Sequence, residues 1–239
     1  MKKRGLGAFV IFLLSFFIVS GGMRYNEIEA ANKFLTLDQV RSIALKQFEV
    51  KDNKGNLYNA YLYAEDVRLE IATIENGGVW GGINEGDVIA SGTFKIAYAK
   101  AGERDYRICK LDDWYYGNGV LDLTAHSVRK TVSNTDKVPD FISIYTQESS
   151  SNGLLYNYGI VNGTMLCITP KFDEPCNCMM TAMGAERNIL FSSIGNGQYK
   201  SAVFDNSAEF YQYHTYIWQY DARTNQLVEI KHYDAAKWE

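Results

Sequence analysis

Four cysteines, three histidines and two loops rich in tryptophan and tyrosine carry most of the chemistry this chain has to offer. The run Cys176-Asn177-Cys178-Met179-Met180 sets two thiols beside two thioethers, and Met165 and Cys167 stand shortly upstream. Such donors suit a soft ion such as Cu(I). In an oxidising compartment the same cysteines are disulfide candidates first. Four cysteines allow three pairings. A Cys176–Cys178 bond would close a very short, strained ring. The expected bridge therefore joins Cys109 or Cys167 to Cys176 or Cys178, the alternative being buried thiols. No resident metal and no cofactor are expected.

Acid–base chemistry has fewer materials. No Gly-x-Ser-x-Gly elbow occurs. The histidines are His126, His214 and His232. On a strand, His214 shares a face with Phe210, Gln212, Tyr216, Trp218 and Tyr220, while His232 shares one with Val228 and Ile230 and reads as a packing or edge residue. A general base needs a partner within hydrogen-bond reach, which spacing alone does not supply. Asp112, Asp113 and Glu148 stand near aromatics, a glycosidase-like setting, but glycosidase carboxylates are defined by their separation in space. Among 28 acidic residues, solvated loop acids are the plainer reading.

The aromatic loops point elsewhere. Trp80 sits in the glycine-rich stretch Gly77-Gly78-Val79-Trp80-Gly81-Gly82, and Trp114-Tyr115-Tyr116-Gly117-Asn118-Gly119 follows Asp112-Asp113. Aromatic rings placed where the chain must turn suit sugar stacking or protein recognition. The competing expectation is that they fold back over sheet ends. The expected ligand-binding residues are Trp80, Trp114, Tyr115 and Tyr116.

The rest of the chain must position these groups. Lys2, Lys3 and Arg4 precede an uncharged apolar stretch over residues 5–23, the pattern of a secretory signal. Ile28 and Ala30 offer a cleavage site, and an uncleaved anchor over residues 5–23 is the alternative. Residues 1–30 are thus read as a signal segment. The remaining 31–239 form a single exported domain, within which 33–75 could be a small helix-plus-hairpin subregion. Without residues 1–30 the chain keeps 20 basic and 26 acidic side chains. That acidic balance argues against nucleic acid as a partner, and leaves the membrane a role only through the N-terminal segment.

Thr36 as N-cap with Gln39 three residues on predicts an amphipathic helix over 37–48. Period-two alternation then predicts strands at 48–51, 57–63, 67–74, 93–98, 106–111, 141–146, 154–161, 164–169, 189–193, 199–205, 210–221 and 227–232. Residues 179–187 read as a second short helix. Segments opening at Phe94, Phe141 and Tyr199 form a faint repeat of blade-like size. Three units are too few to close a propeller. The expected fold is mainly β: antiparallel meandering sheets, a sandwich or an open partial propeller, with one N-terminal amphipathic helix. The expected function is recognition of a glycan or an envelope protein outside the cytoplasmic membrane. The alternative is a secreted hydrolase acting on glycans through Asp112, Asp113 and His214.

Overall fold

The structure, a computed structural model of the chain, describes residues 35–79, 83–111, 119–125, 127–147, 151–172, 176–184, 187–206 and 212–238. The signal segment expected at 1–30 lies outside them. Chain contacts part Met1–Leu35 from Thr36–Glu239, and the fold below is that of the second unit.

Helix α1 (Leu37–Ile43) opens on the expected capping box, with Thr36 and Gln39 exchanging side-chain and backbone hydrogen bonds. It is five residues shorter than the periodicity predicts. Ala44 is already extended, and the Leu45 amide donates to the Leu62 carbonyl. Phe48 therefore lies on strand β1 (Lys46–Lys51) opposite Ala60 of β2 (Leu57–Ala64). Its spacing fits a helix face and a strand face equally, and sheet pairing decides between them.

Three larger, mainly antiparallel sheets of four, five and five strands follow in chain order. The first runs β1-β2-β5-β6, with β5 (Phe94–Lys100) and β6 (Arg107–Lys110). The second is a meander of β8 (Val128–Thr131), β9 (Phe141–Gln147), β10 (Asn152–Val161) and β11 (Thr164–Cys167). The third comprises β14 (Phe191–Gly195), β15 (Gln198–Asp205), β16 (Gln212–Asp221) and β17 (Gln226–Ala235), joined in parallel by the short β12 (Thr169–Pro170). The faint repeat corresponds to β5, β9 and β15, one inner strand of each sheet.

Alternation in the second sheet explains how the three layers stack. Ile142, Ile144, Tyr156, Tyr158 and Ile160 face the first sheet, meeting Ala60, Leu62, Phe94, Ile96 and Tyr98. Phe141, Tyr145, Leu155 and Val161 face the third, meeting Phe191, Tyr199, Trp218, Tyr220 and Leu227. A sheet covered on both sides needs apolar residues at odd and even positions alike, and β9 and β10 supply them. Two tight turns have a specific chemical cause. Asn162-Gly163 and Asn196-Gly197 all take positive φ, the geometry that fits the twist of a two-residue hairpin.

Four strands were not legible from alternation: β4 (Val88–Gly92), β7 (Gly119–Asp122), β8 and β13 (Met179–Ala182). β4 and β7 join β3 (Arg68–Ile71) in a small separate sheet. β13 replaces the expected second helix. Met179 and Met180 pair with Leu155 and Leu154 on an otherwise open stretch of β10, and backbone groups buried there require partners. Gly153 allows the close approach of β9 on the other side of β10: a Cβ at this position would lie 2.2 Å from the Thr146 carbonyl oxygen. No helix among the described residues is long and apolar enough to cross a membrane.

Candidate functional site

The expected ligand-binding residues Trp80, Trp114, Tyr115 and Tyr116 lie outside the described residues, as do Asp112, Asp113, His126 and Glu148. The strands that flank them are described. Residues 80–82 belong to the connection leaving Ile71 and entering Val88, whereas residues 112–118 enter β7 at Gly119, which pairs with Gly92. The two segments are thus anchored at opposite ends of the small sheet.

That sheet and its connection display an unusual set of side chains. Leu69 is 57% exposed, Ile71 61% and Ile74 73%, and Val88 is also exposed. The pairing of Ile71 with Val88 and of Leu69 with Ala90 puts Leu69, Ile71 and Val88 on one face, beside an Ala90 that is buried in the core. A salt-bridged clamp holds the sheet to the rest of the molecule. Arg187 Nη1 lies 2.7 Å from Asp87 Oδ1, and Nη2 pairs with Asp122 Oδ2. Asp87 and Asp122 are both buried. Burial pushes the Asp87 carboxyl up, but hydrogen bonds from Arg187 and the Asn84 amide, with the Arg187 charge, outweigh it and hold it below the usual range.

The four cysteines adjoin one core. Cys178 belongs to the core between the first and second sheets, with Cys109, Cys167 and Cys176 packed against that core. Cys167 Sγ lies 3.3 Å from the Asn177 carbonyl oxygen. Cys176 and Cys178 Sγ are 3.5 Å apart, well beyond the ~2.05 Å of a disulfide. None of the four is joined in a disulfide in this structure. Cys167, one of the two expected bridging partners, is set against the Cys176–Cys178 turn.

The histidines hold the surprise. His214 Nδ1 is 2.7 Å from Asp234 Oδ1, and its Nε2 is 3.3 Å from Asp205 Oδ2. His232 Nε2 is 3.7 Å from the same Asp234 Oδ1. His232 does not share a face with Val228, as simple alternation predicts. It pairs with Tyr216, and the two rings stack at 4.5 Å with planes 6° apart. A hydrogen bond to Asp234 raises the His214 pKa above its ordinary value; partial burial opposes this and Asp205 adds to it. Compared with protein-family models, curated proteins and solved structures, the chain matches none.

Residue types alone had marked His214 for acid–base work but not its partners. Asp205 and Asp234 lie 9 and 20 positions away. Only the hairpin register brings them in. An imidazole between two carboxylates can accept a proton or bind a cation.

Proposed function

We propose that this is an exported, non-enzymatic recognition protein of the cell envelope, whose contact surface is the β3–β4 hairpin and its aromatic connection. One observation carries the reading. Leu69, Ile71 and Val88 present aliphatic side chains to solvent on one face of a clamped sheet, and Ile74 does so on the connection that follows. Exposed apolar side chains gathered on one element in this way mark partner contact. Aliphatic side chains offer nothing to sugar hydroxyls, so the favoured partner is a protein. The neighbouring Trp80 and the separate Trp114-Tyr115-Tyr116 segment then supply aromatic anchors or an independent glycan contact.

The test is cosedimentation of the full-length gene product, after its own processing, with isolated envelopes. Wild type is expected to bind, and protease treatment of the envelopes is expected to abolish binding. Leu69→Ser/Ile71→Ser, both at exposed positions, should weaken it about tenfold. Binding unchanged by that double variant and by Trp114→Ala would overturn the reading.

Export has its own test. Expressed in a bacterial host with its native N-terminus, the protein should leave the cytoplasm and begin after Ala30. Two of its four thiols should be lost to a bridge between Cys167 and the Cys176–Cys178 turn. Recovery of the full-length chain from the cytoplasm would end the proposal of export. Four titratable thiols in the exported, denatured chain would end the proposal of a bridge.

A further inference from the structure

A β-bulge, more than any local motif, assembles the His214 cluster. From the turn at 222–225 the hairpin pairs Tyr220 with Leu227, Gln219 with Val228 and Trp218 with Glu229. Continued without interruption, that register would set His214 opposite Tyr233. His232 and Asp234 would then point through the opposite face, because a one-residue slip reverses every side chain. The register instead shifts between Ile217 and Trp218, with Ile230 as the extra residue. Beyond the shift Tyr216 pairs with His232 and His214 with Asp234. Asp205 joins from β15, two residues beyond the Val203 that pairs with His214. Bulges characteristically re-aim side chains in this way.

We propose that His214, His232 and Asp234 bind a divalent transition-metal ion of the zinc class, with Asp205 orienting His214. One donor atom from each of the three ligands lies within 4.8 Å of the others. Zinc bonds of about 2.0–2.1 Å in tetrahedral array separate neighbouring donors by about 3.3 Å. The distances of 2.7 Å and 3.7 Å to Asp234 Oδ1 bracket that value, so small side-chain rotations suffice. Two imidazoles and one carboxylate suit zinc or copper(II), and are a poor set for calcium or magnesium.

The roles of the two His214 nitrogens follow from the geometry. Nδ1 faces Asp234 and becomes the ligand. Nε2 then carries the proton and donates it to Asp205, 3.3 Å away. A carboxylate on the far nitrogen fixes the tautomer and strengthens the ligand. Tyr216, stacked on His232, holds the second ring's plane. Three protein ligands leave a fourth position for water or for an oxygen donor from a partner.

The plain alternative is a histidine–carboxylate network that binds no metal. Isothermal titration of untagged, full-length protein with zinc separates the two readings. Wild type is expected to bind one equivalent with micromolar or tighter affinity. His232→Ala and His214→Ala should each weaken it by more than about 100-fold, and Asp205→Ala by about tenfold, with Asp205→Asn partly restoring it. All four positions are at least partly exposed, and thermal melts in chelator should show each variant folded as wild type. Cobalt(II) supplies a second readout: its spectrum should lack thiolate-to-metal charge transfer. No stoichiometric binding, unaltered binding by His232→Ala, or thiolate charge transfer from the cysteine cluster would each overturn the proposal.

Discussion

Replacing Arg187 with alanine should lower stability by about 3 kcal/mol and the melting temperature by roughly 6–12 °C. The guanidinium is the cation that the side chains of Asp87 and Asp122 meet, and those two side chains are only 6% and 9% exposed. Removing it leaves two buried carboxylates with no other paired cation among the described residues. The magnitude is set at the lower end of the range for broken buried ion pairs because Arg187 itself is 26% exposed. Urea unfolding of Arg187→Ala against wild type gives the measurement. A loss under 1 kcal/mol would show that the clamp contributes little. Adding Asp87→Asn and Asp122→Asn to Arg187→Ala should recover part of the loss, since it removes the stranded charges.

The pH dependence of the same variant has a defined sign. In wild type the Asp87 carboxyl lies below its ordinary value. Its contribution is complete above the unfolded-state pKa of about 3.9 and disappears as pH falls through the lower folded value. In Arg187→Ala the outweighing cation is gone and burial raises the pKa instead. That carboxyl then binds a proton more readily when folded, so the variant's deficit should shrink as pH falls toward 4. The local consequence matters for the proposed recognition surface. Asp87 leads into β4 and Asp122 ends β7, so loss of the clamp should raise amide exchange in the small sheet before the rest of the molecule.

Different kinds of residue made different parts of this molecule legible. The density of apolar and aromatic residues in 141–146, 154–161 and 199–205 marked the inner strands, because each must present apolar groups to a facing sheet. Asn162-Gly163 marked its hairpin because few residue pairs accept two consecutive positive φ angles. Edge elements were another matter. Arg68-Leu69-Glu70-Ile71 is exposed along its whole length yet falls within the strand predicted at 67–74, whereas β7 and β8, each four residues long, left no readable pattern. Met179–Ala182 looks helical in isolation and becomes a strand only because β10 has an edge to offer. The site residues divide similarly. Position on a strand identified the Tyr216, Trp218 and Tyr220 face of His214, which the structure retains. Asp234 and His232 reach that face through a bulge whose position no spacing rule predicted. Arg187 finds partners 65 and 100 residues away, a pairing set wholly by the packing of layers.

Tyr199→Ala should cost about 3–5 kcal/mol, whereas Tyr199→Phe should leave stability unchanged or raise it by up to about 1 kcal/mol. The contrast follows from the two ends of one side chain. Its ring is fully buried between the second and third sheets. It stacks on Phe141 at 4.8 Å and on Phe191 at 5.4 Å, with planes 26° and 1° apart. Deleting it opens a cavity at the centre of the interface that holds the third sheet, and with it the His214 cluster. The hydroxyl is different: it is buried and has no hydrogen-bond partner among the described residues. An unsatisfied buried polar atom opposes folding, so phenylalanine keeps the packing and removes the penalty. The same pair of variants predicts alkaline behaviour. Burial, with Asp140 nearby, raises the Tyr199 pKa, and burial pushes Tyr63 and Tyr220 up to about 12. Groups whose folded pKa is raised add nothing to the pH dependence below the unfolded value of about 10 and lose stability above it. Wild type should therefore unfold in dilute alkali as pH climbs past 10, and Tyr199→Phe should show a shallower decline. Equal slopes for the two proteins, measured by urea midpoints from pH 8 to 11, would mean that the Tyr199 hydroxyl is solvated.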